Sequence, residues 1–409
     1  MCTTEPSRRA AATVQRGVEL AEIFQRFGSQ YRRRHVLASV QRSAMRAIED
    51  CRTAALGGHL QTCDRCGAVR HVYHSCRNRH CPKCQTLAKE RWLAARRAEL
   101  LPIGYFHVVF TLPHRLNPLA QGNPRLIYNL LFHSAAETLL SFGRDPNHLG
   151  GTPGITAILH TWGQDLSQHI HLHCLVTGGA LNHDRQHWLP AKADYLFPVR
   201  ALAVVFRSKF LQRLHQVYER GELRLAGSLA YLRRPADFGR LLATLKAHDW
   251  VVDARPPFGS AETVLGYLAR YTHRVAITND RILSCDHGNV RFRYKDYAHG
   301  NRQKIMTLEA AEFIRRFLLH VLPDGFVRIR HFGLLANRQR QQRLNDCRRL
   351  LDAPPHDPAP MPQTAAELLL QLTGRDIEIC PVCQQGRMHV TVVLPPLRAS
   401  PSPTPRLTT

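Results

Sequence analysis

Gln168-His169-Ile170-His171-Leu172-His173-Cys174-Leu175-Val176 alternates with a period of two, so one face of a strand carries three histidines and the other carries Ile170, Leu172, Cys174 and Val176. Imidazoles two positions apart on a strand have Cβ atoms about 6–7 Å apart, close enough to grip one cation. The outer pair is about 13 Å apart and cannot easily converge. One His-x-His pair is therefore expected to bind a metal ion, with a third ligand from elsewhere in the chain. Taken alone, the same alternation also describes an ordinary polar face.

The segments around this strand predict an α+β core. Residues 105–112 (YFHVVFTL) are β-branched and aromatic and stop at Pro113, as a strand does. Residues 155–159 and 170–177 read as two further strands, the second ending in Gly178-Gly179. Apolar positions at helical spacing (Leu20, Ile23, Phe24, Phe27, then Val36, Leu37, Val40, Met45, Ile48) predict two short helices separated by Arg32-Arg33-Arg34. Helices are also expected over 85–101, 124–142, 198–219, 260–273, 307–321 and 334–351. A hairpin is expected with arms 281–285 and 289–296 around an Asp-His-Gly turn. The organisation expected is an N-terminal helical segment (1–50), a cysteine-rich domain (51–100) and an α+β core (101–335). A basic helix (336–352), a Pro-rich linker (353–363), a small CxxC segment (364–393) and a disordered tail (394–409) follow.

The cysteines of the second segment form two knuckles, Cys63-x2-Cys66 and Cys81-x2-Cys84, 14 residues apart. That is close to the spacing of a four-cysteine zinc ribbon or treble clef, in which two knuckles complete one tetrahedron of thiolates. Buried apolar cysteines would not be surrounded by this many Arg, His, Asp and Asn residues. Such a closed site is structural, and it would hold Arg65, Arg70, Arg77, Arg79 and Lys83 against nucleic acid. Cys76, His71, His74 and His80 are extra potential ligands, for a second zinc or as a substituted ligand. Cys380-Pro-Val-Cys383 is half of a further zinc site, with His389 and Cys347 as candidates to complete it.

Composition narrows the partner. The chain of 409 residues has a net charge of +25, more unbalanced charge than an enzyme of small anionic metabolites needs, and suited to tracking a polyphosphate backbone. Mean hydropathy is −0.28 and no run of 18 apolar residues occurs, so a membrane-embedded chain is excluded. The N-terminus lacks the apolar stretch of a signal peptide, so a soluble intracellular protein is expected.

Ser260-Ala-Glu-Thr-Val-Leu-Gly-Tyr267-Leu-Ala-Arg270-Tyr271-Thr-His273-Arg274 places Tyr267 and Tyr271 at i, i+4, on one face of a helix, with Ser260 as its N-cap. An aromatic pair in a core would explain a lone Tyr pair. A core face is not usually bordered by Arg270, His273 and Arg274.

A His-hydrophobic-His strand followed by a two-tyrosine helix resembles the HUH single-strand nucleases. The segments LGGHLQTCDRCG, SCRNRHCPKCQ, FHVVFTLPH, HIHLHCLVTGG, YLARYTHRVAI and VRIRHFGLLANR, in this order, resemble the two-tyrosine rolling-circle transposases of bacterial insertion sequences. Those enzymes carry an N-terminal zinc-binding domain. The resemblance implies an HUH-like antiparallel sheet with helices and a structural Zn²⁺. It also implies a catalytic Mg²⁺ or Mn²⁺ on His171 and His173, with Tyr267 and Tyr271 as nucleophiles. His169, His273 and Glu262 are candidates for the third ligand. The expected partner is single-stranded DNA at element ends and target, and the expected place is the bacterial cytoplasm, in association with the nucleoid.

By the same resemblance, a tyrosine attacks a metal-polarised phosphate to leave a 5′-phosphotyrosine link and a free 3′-hydroxyl. Candidate DNA-binding residues are Arg77, Arg79, Arg270, Arg274, Arg328 and Arg330. The alternating strand Val290-Arg291-Phe292-Arg293-Tyr294-Lys295 and the basic stretch through Arg338, Arg340 and Arg343 are further candidates. Two rivals remain. A zinc-ribbon DNA-binding regulator explains the charge and cysteines without chemistry, and a rolling-circle replication initiator shares the mechanism.

Overall fold

The computed structural model describes residues 17–256, 275–296, 300–354 and 364–397, together with 263, 264 and 266. In chain order it comprises α1 (Leu20–Arg34), α2 (Ser39–Glu49), β1 (Gly58–Cys63), β2 (Val69–Tyr73), α3 (Gln85–Glu99) and β3 (Tyr105–Thr111). Then come α4 (Asn117–Gly122), α5 (Pro124–Arg144), β4 (Thr152–Trp162), β5 (Gln168–Leu181), β6 (Trp188–Pro190), α6 (Val199–Glu219), α7 (Pro235–Ala247) and β7 (Val252–Arg255). The last part holds β8 (Ile282–Asp286), β9 (Asn289–Asp296), β10 (Arg302–Glu309), α8 (Ala310–Leu318), β11 (Ile329–Gly333), α9 (Arg340–Leu350), α10 (Ala365–Thr373) and β12 (Met388–Leu394). The fold is α+β, as expected.

The large sheet runs β11-β4-β5-β3-β7, with β6 beside β5, and its pairs are antiparallel. The histidine strand β5 is central and longer than its sequence pattern marks. Its even positions, Ile170, Leu172, Cys174 and Val176, are fully buried with Phe106, Val108 and Phe110 of β3 and Ile155, Ala157 and Leu159 of β4. Helices α5 and α6 cover this face with Leu131, Phe132, Phe206 and Phe210. Each large apolar side chain so buried stabilises by roughly 1.5–3 kcal/mol, and a one-residue slip of β5 would drive histidines into that core. The apolar face therefore fixes which side the histidines occupy.

A second core joins the two ends of the predicted N-terminal and catalytic segments. Leu20, Ile23 and Phe24 of α1 and Met45 and Ile48 of α2 pack with Val290, Phe292, Phe313 and Phe317 of the β8-β9-β10 sheet and α8. The expected hairpin is present, and β10 extends it. Residues 307–309, expected to begin a helix, instead close the β10 ladder, with Leu308 opposite Val290. The expected division at residue 50 is therefore not a boundary between cores.

The third sheet has the order β12-β1-β2. Residues 388–394 pair antiparallel with residues 58–63, so the CxxC segment expected to stand apart at 364–393 is folded onto the N-terminal cysteine region. No helix among the described residues is long and apolar enough to cross a membrane.

Candidate metal centre and cysteine clusters

On β5 the odd positions His171 and His173 face away from the apolar core. The antiparallel register sets His160 of β4 opposite His171, and Ile158 opposite His173. One ring nitrogen from each of His160, His171 and His173 lies within 4.8 Å of the others, and all three side chains are buried. Their rings meet edge to face, at centroid distances of 5.4 Å (His160–His171), 4.6 Å (His160–His173) and 4.8 Å (His171–His173).

The protonation of the rings suits a cation. His171 Nδ1 lies 2.8 Å from the His169 carbonyl, which can only accept, so Nδ1 carries the proton and Nε2 keeps its lone pair. Burial pushes His171 down to about 3 and His173 well below the ordinary imidazole range, so neither ring is a cation at neutral pH. His107, on β3, brings its Nε2 to within 2.9 Å of His173 Nδ1, which turns the other nitrogen of His173 toward the triad. Burial likewise lowers His107, to about 4, with Arg255 adding to the effect and Asp253 opposing it.

Of the three candidates for the third ligand, His169 is described, and it lies outside the triad. Its ring is 4.8 Å from that of His171, toward His114 instead. His160 takes the place expected for it. The reason is register: β4 sets His160 opposite His171 and brings its ring to 4.6 Å from that of His173, so its nitrogen joins both. Sequence reasoning missed His160 and His107. The signal for His160 was present, because the turn at 163–167 folds β4 and β5 into a hairpin that puts 160 opposite 171.

Tyr267, Tyr271, Arg270, His273, Arg274 and Glu262 lie outside the described residues. Val264, three positions before Tyr267, is described and fully buried. It packs with Tyr105, Ile158 and Leu175, which belong to the histidine-bearing face, and Trp92, Leu100 and Ile103 border the same cluster.

The cysteines pair differently from the sequence expectation. Cys63 and Cys66 do not share a site with Cys81 and Cys84. One cluster is Cys51, Cys76, Cys81 and Cys84; the other is Cys63, Cys66, Cys380 and Cys383. The strand pairing explains the exchange, since β12 lies along β1 and carries the distant CxxC to the end of that strand. In the first cluster the Sγ atoms stand 3.5 Å (Cys51–Cys84), 3.6 Å (Cys51–Cys81) and 3.7 Å (Cys76–Cys84) apart. A disulfide would need about 2.05 Å, whereas thiolates around tetrahedral zinc at about 2.3 Å are about 3.8 Å apart. Cys76 holds the Cys51 thiol down, at about 7, while Cys76 itself is pushed far up. A dication removes that competition by accepting all four as thiolates. The cysteine clusters thus fit zinc.

The other proposed ligands go elsewhere. His80 is buried, and its Nε2 accepts from the Leu322 N–H at 3.3 Å. Cys347 sits in an apolar cluster with Leu101, Leu181, Leu334 and Leu344, and His389 lies 3.3 Å from Asp64.

Several basic residues expected to meet DNA are committed to the fold. Arg328 is buried, where a phosphate cannot reach it, and Arg79 donates to the Phe326 carbonyl at 2.6 Å. Arg330 lies over the Phe132 ring and donates to Asn129. Arg340 pairs with Glu99, Arg343 donates to the Gly333 carbonyl, and Lys83 pairs with Glu19. Arg77 is exposed, as are Arg291, Arg293 and Lys295, whose neighbours Val290 and Phe292 point inward.

Known families match both parts of the chain in sequence. A family described as "Putative transposase" matches residues 154–343, and one described as "Transposase zinc-binding domain" matches residues 23–112. The protein named "Putative transposase y4qJ" from Sinorhizobium fredii is 50% identical over 375 residues, covering 91% of this chain and 94% of that protein. "Transposase for insertion sequence element IS801" from Pseudomonas savastanoi pv. phaseolicola is 29% identical over 304 residues, 70% of this chain and 68% of that protein. No solved structure matches.

Proposed function

The chain belongs to the transposase family of these relatives, and from that premise we propose that it nicks and rejoins single-stranded DNA through a covalent phosphotyrosine, as a rolling-circle transposase. The observation that carries this reading is the convergence of His160, His171 and His173 on the sheet face against which Val264 packs. Val264 precedes Tyr267 by three positions in the sequence, and three residues of chain span at most about 11 Å.

His160, His171 and His173 would hold the divalent cation, and the bound ion would polarise the scissile phosphate. The tyrosine hydroxyl attacks phosphorus and gives up its proton. The Tyr O–P bond forms, the P–O3′ bond breaks, and the departing 3′-oxygen takes a proton. The new phosphodiester retains the energy of the old one, so a later 3′-hydroxyl reverses the step on another strand and frees the tyrosine. With Tyr267 and Tyr271 both available, two such links coexist during strand exchange. Arg77, Arg291, Arg293 and Lys295 are exposed cations suited to the phosphate backbone, and Arg270 and Arg274 flank the nucleophiles in sequence.

Incubation with a divalent cation and single-stranded oligonucleotides from the ends of the protein's own element is expected to give a protein–DNA adduct that survives denaturation. The double variant Tyr267→Phe, Tyr271→Phe should lose it. Cleavage persisting in that variant overturns the tyrosine assignment. Salt-sensitive binding without any adduct in the wild type favours a regulator instead.

A further inference from the structure

We infer that Cys63, Cys66, Cys380 and Cys383 bind a second zinc ion that clasps the C-terminal segment 364–397 to the N-terminal sheet. The zinc-binding family match ends at residue 112, so it does not reach two of these four ligands.

The two halves of the site are built alike. Cys63 N–H donates to the Ala68 carbonyl at 2.9 Å, and Cys380 N–H donates to the Gly386 carbonyl at 2.8 Å. Gly67 N–H returns to the Cys63 carbonyl and Gln384 N–H to the Cys380 carbonyl, at 3.2 and 3.0 Å. Backbone amides point at the sulfurs: Arg65 N–H at 3.4 Å and Cys66 N–H at 3.5 Å from Cys63 Sγ, Val382 N–H at 3.4 Å from Cys380 Sγ, and Gly386 N–H at 3.3 Å from Cys383 Sγ. Such donors favour the thiolate form that a metal requires.

Across the halves, Cys63 Sγ lies 3.7 Å from Cys383 Sγ, and Cys66 Sγ lies 3.7 Å from Cys380 Sγ. That is the separation of thiolates around tetrahedral zinc, about 3.8 Å, and far longer than a disulfide at about 2.05 Å. Four sulfur donors without an imidazole or carboxylate select zinc over magnesium or calcium. The approach also demands a glycine. A Cβ on Gly386 would stand 2.6 Å from Asp64 Oδ1 and 2.8 Å from Arg65 Cβ, and closer still to Cys63 Sγ. Asp64 seals the joint by accepting from the Arg387 N–H at 2.8 Å.

The apolar content of this unit is small. Its core is Cys63, Cys380 and Met388 with Ala68 and Cys383 beside them, while Val390, Val392 and Val393 are exposed. A unit of that size holds together on its metal, so the ion is the clasp.

The test uses the full-length protein. Zinc per chain, measured by inductively coupled plasma mass spectrometry, is compared among the wild type, Cys380→Ser/Cys383→Ser, and Cys76→Ser/Cys81→Ser. Each double variant is expected to lose one equivalent, and the Cys383→His variant, which offers three thiolates and an imidazole, to retain it. Unchanged zinc in Cys380→Ser/Cys383→Ser overturns the proposal. On the wild type alone, substitution with ¹¹³Cd should give two tetrathiolate resonances, and a single one overturns it whether or not the variants fold. Hydrogen exchange reads the clasp itself. In Cys380→Ser/Cys383→Ser the amides of residues 388–394 should lose protection while those of 168–181 keep it. Retained protection at 388–394 would mean that the ion does not hold the segment.

Discussion

The Nε2 atom of His107 lies 2.9 Å from Nδ1 of His173, and the two rings stack at 14°. A ring braced through one nitrogen presents the other in a fixed direction, which is how ligands are oriented from behind in metal sites. The His107→Ala variant should therefore weaken binding of Mn²⁺ by about 10–100-fold, measured by calorimetry or by the electron paramagnetic resonance of the free ion. His107→Gln, which keeps an acceptor, should recover part of the loss. Equal affinity in wild type and His107→Ala would show that the brace has no such role.

Replacement of His160 separates the triad from the strand pattern. The His160→Ala variant should lower adduct formation by on the order of 100-fold or more, because one of three donors is gone. His169→Ala, which removes a ring outside the triad, should leave the rate near that of the wild type. The reverse ranking would return the third-ligand role to His169.

Three imidazoles are a borderline donor set, whereas Mg²⁺ prefers oxygen. Half-maximal adduct formation is therefore expected at a lower concentration of Mn²⁺ than of Mg²⁺. A metal titration of oligonucleotide cleavage reads this directly, and a preference for Mg²⁺ would point to oxygen ligands beyond the triad.

Arg291, Arg293 and Lys295 alternate with the buried Val290 and Phe292, so their replacement touches no core. The triple alanine variant should retain its melting temperature but bind single-stranded DNA more weakly. Its plot of log affinity against log salt should be shallower by about 2, since each phosphate neutralised on a single strand adds roughly 0.7 to the slope. An unchanged slope would place the DNA path elsewhere.

Acid should destabilise the protein through buried histidines that are not members of the metal triad. Burial lowers His320 to about 4, and its Nε2 lies 3.1 Å from the Leu166 carbonyl. Burial, with Arg96 and Arg340 adding to it, lowers His331 to about 3. The unfolded chain takes up these protons near pH 6.5 and the folded chain does not. Their contribution is therefore complete above about pH 6.5 and is lost as pH falls toward 4. Denaturant midpoints across that window should fall less steeply for His320→Gln than for the wild type.

Local pattern was legible in the sequence where one element decides it. The period-two run at 168–176 located β5, its core face and two of the three clustered histidines. The CxxC pairs were recognisable because a knuckle is closed by its own backbone. What failed was the pairing of distant elements. His160 owes its place to hairpin register, and Cys63 and Cys66 are completed by Cys380 and Cys383 because β12 lies along β1. Nothing within either knuckle specifies its mate, since all CxxC units offer the same two sulfurs. The surroundings of Arg328 and Arg330 were illegible for a related reason. A basic stretch looks alike in sequence whether its guanidinium groups reach solvent or, like that of Arg330, lie over Phe132.

The order β12-β1-β2 has a consequence for biosynthesis. Strand β1 leaves the ribosome early, but its outer neighbour is made more than three hundred residues later. During most of translation that edge is bare, and a message cut short before codon 388 yields a product whose first sheet is never finished. Only a polypeptide synthesised through residue 394 can complete the sheet that β1 begins.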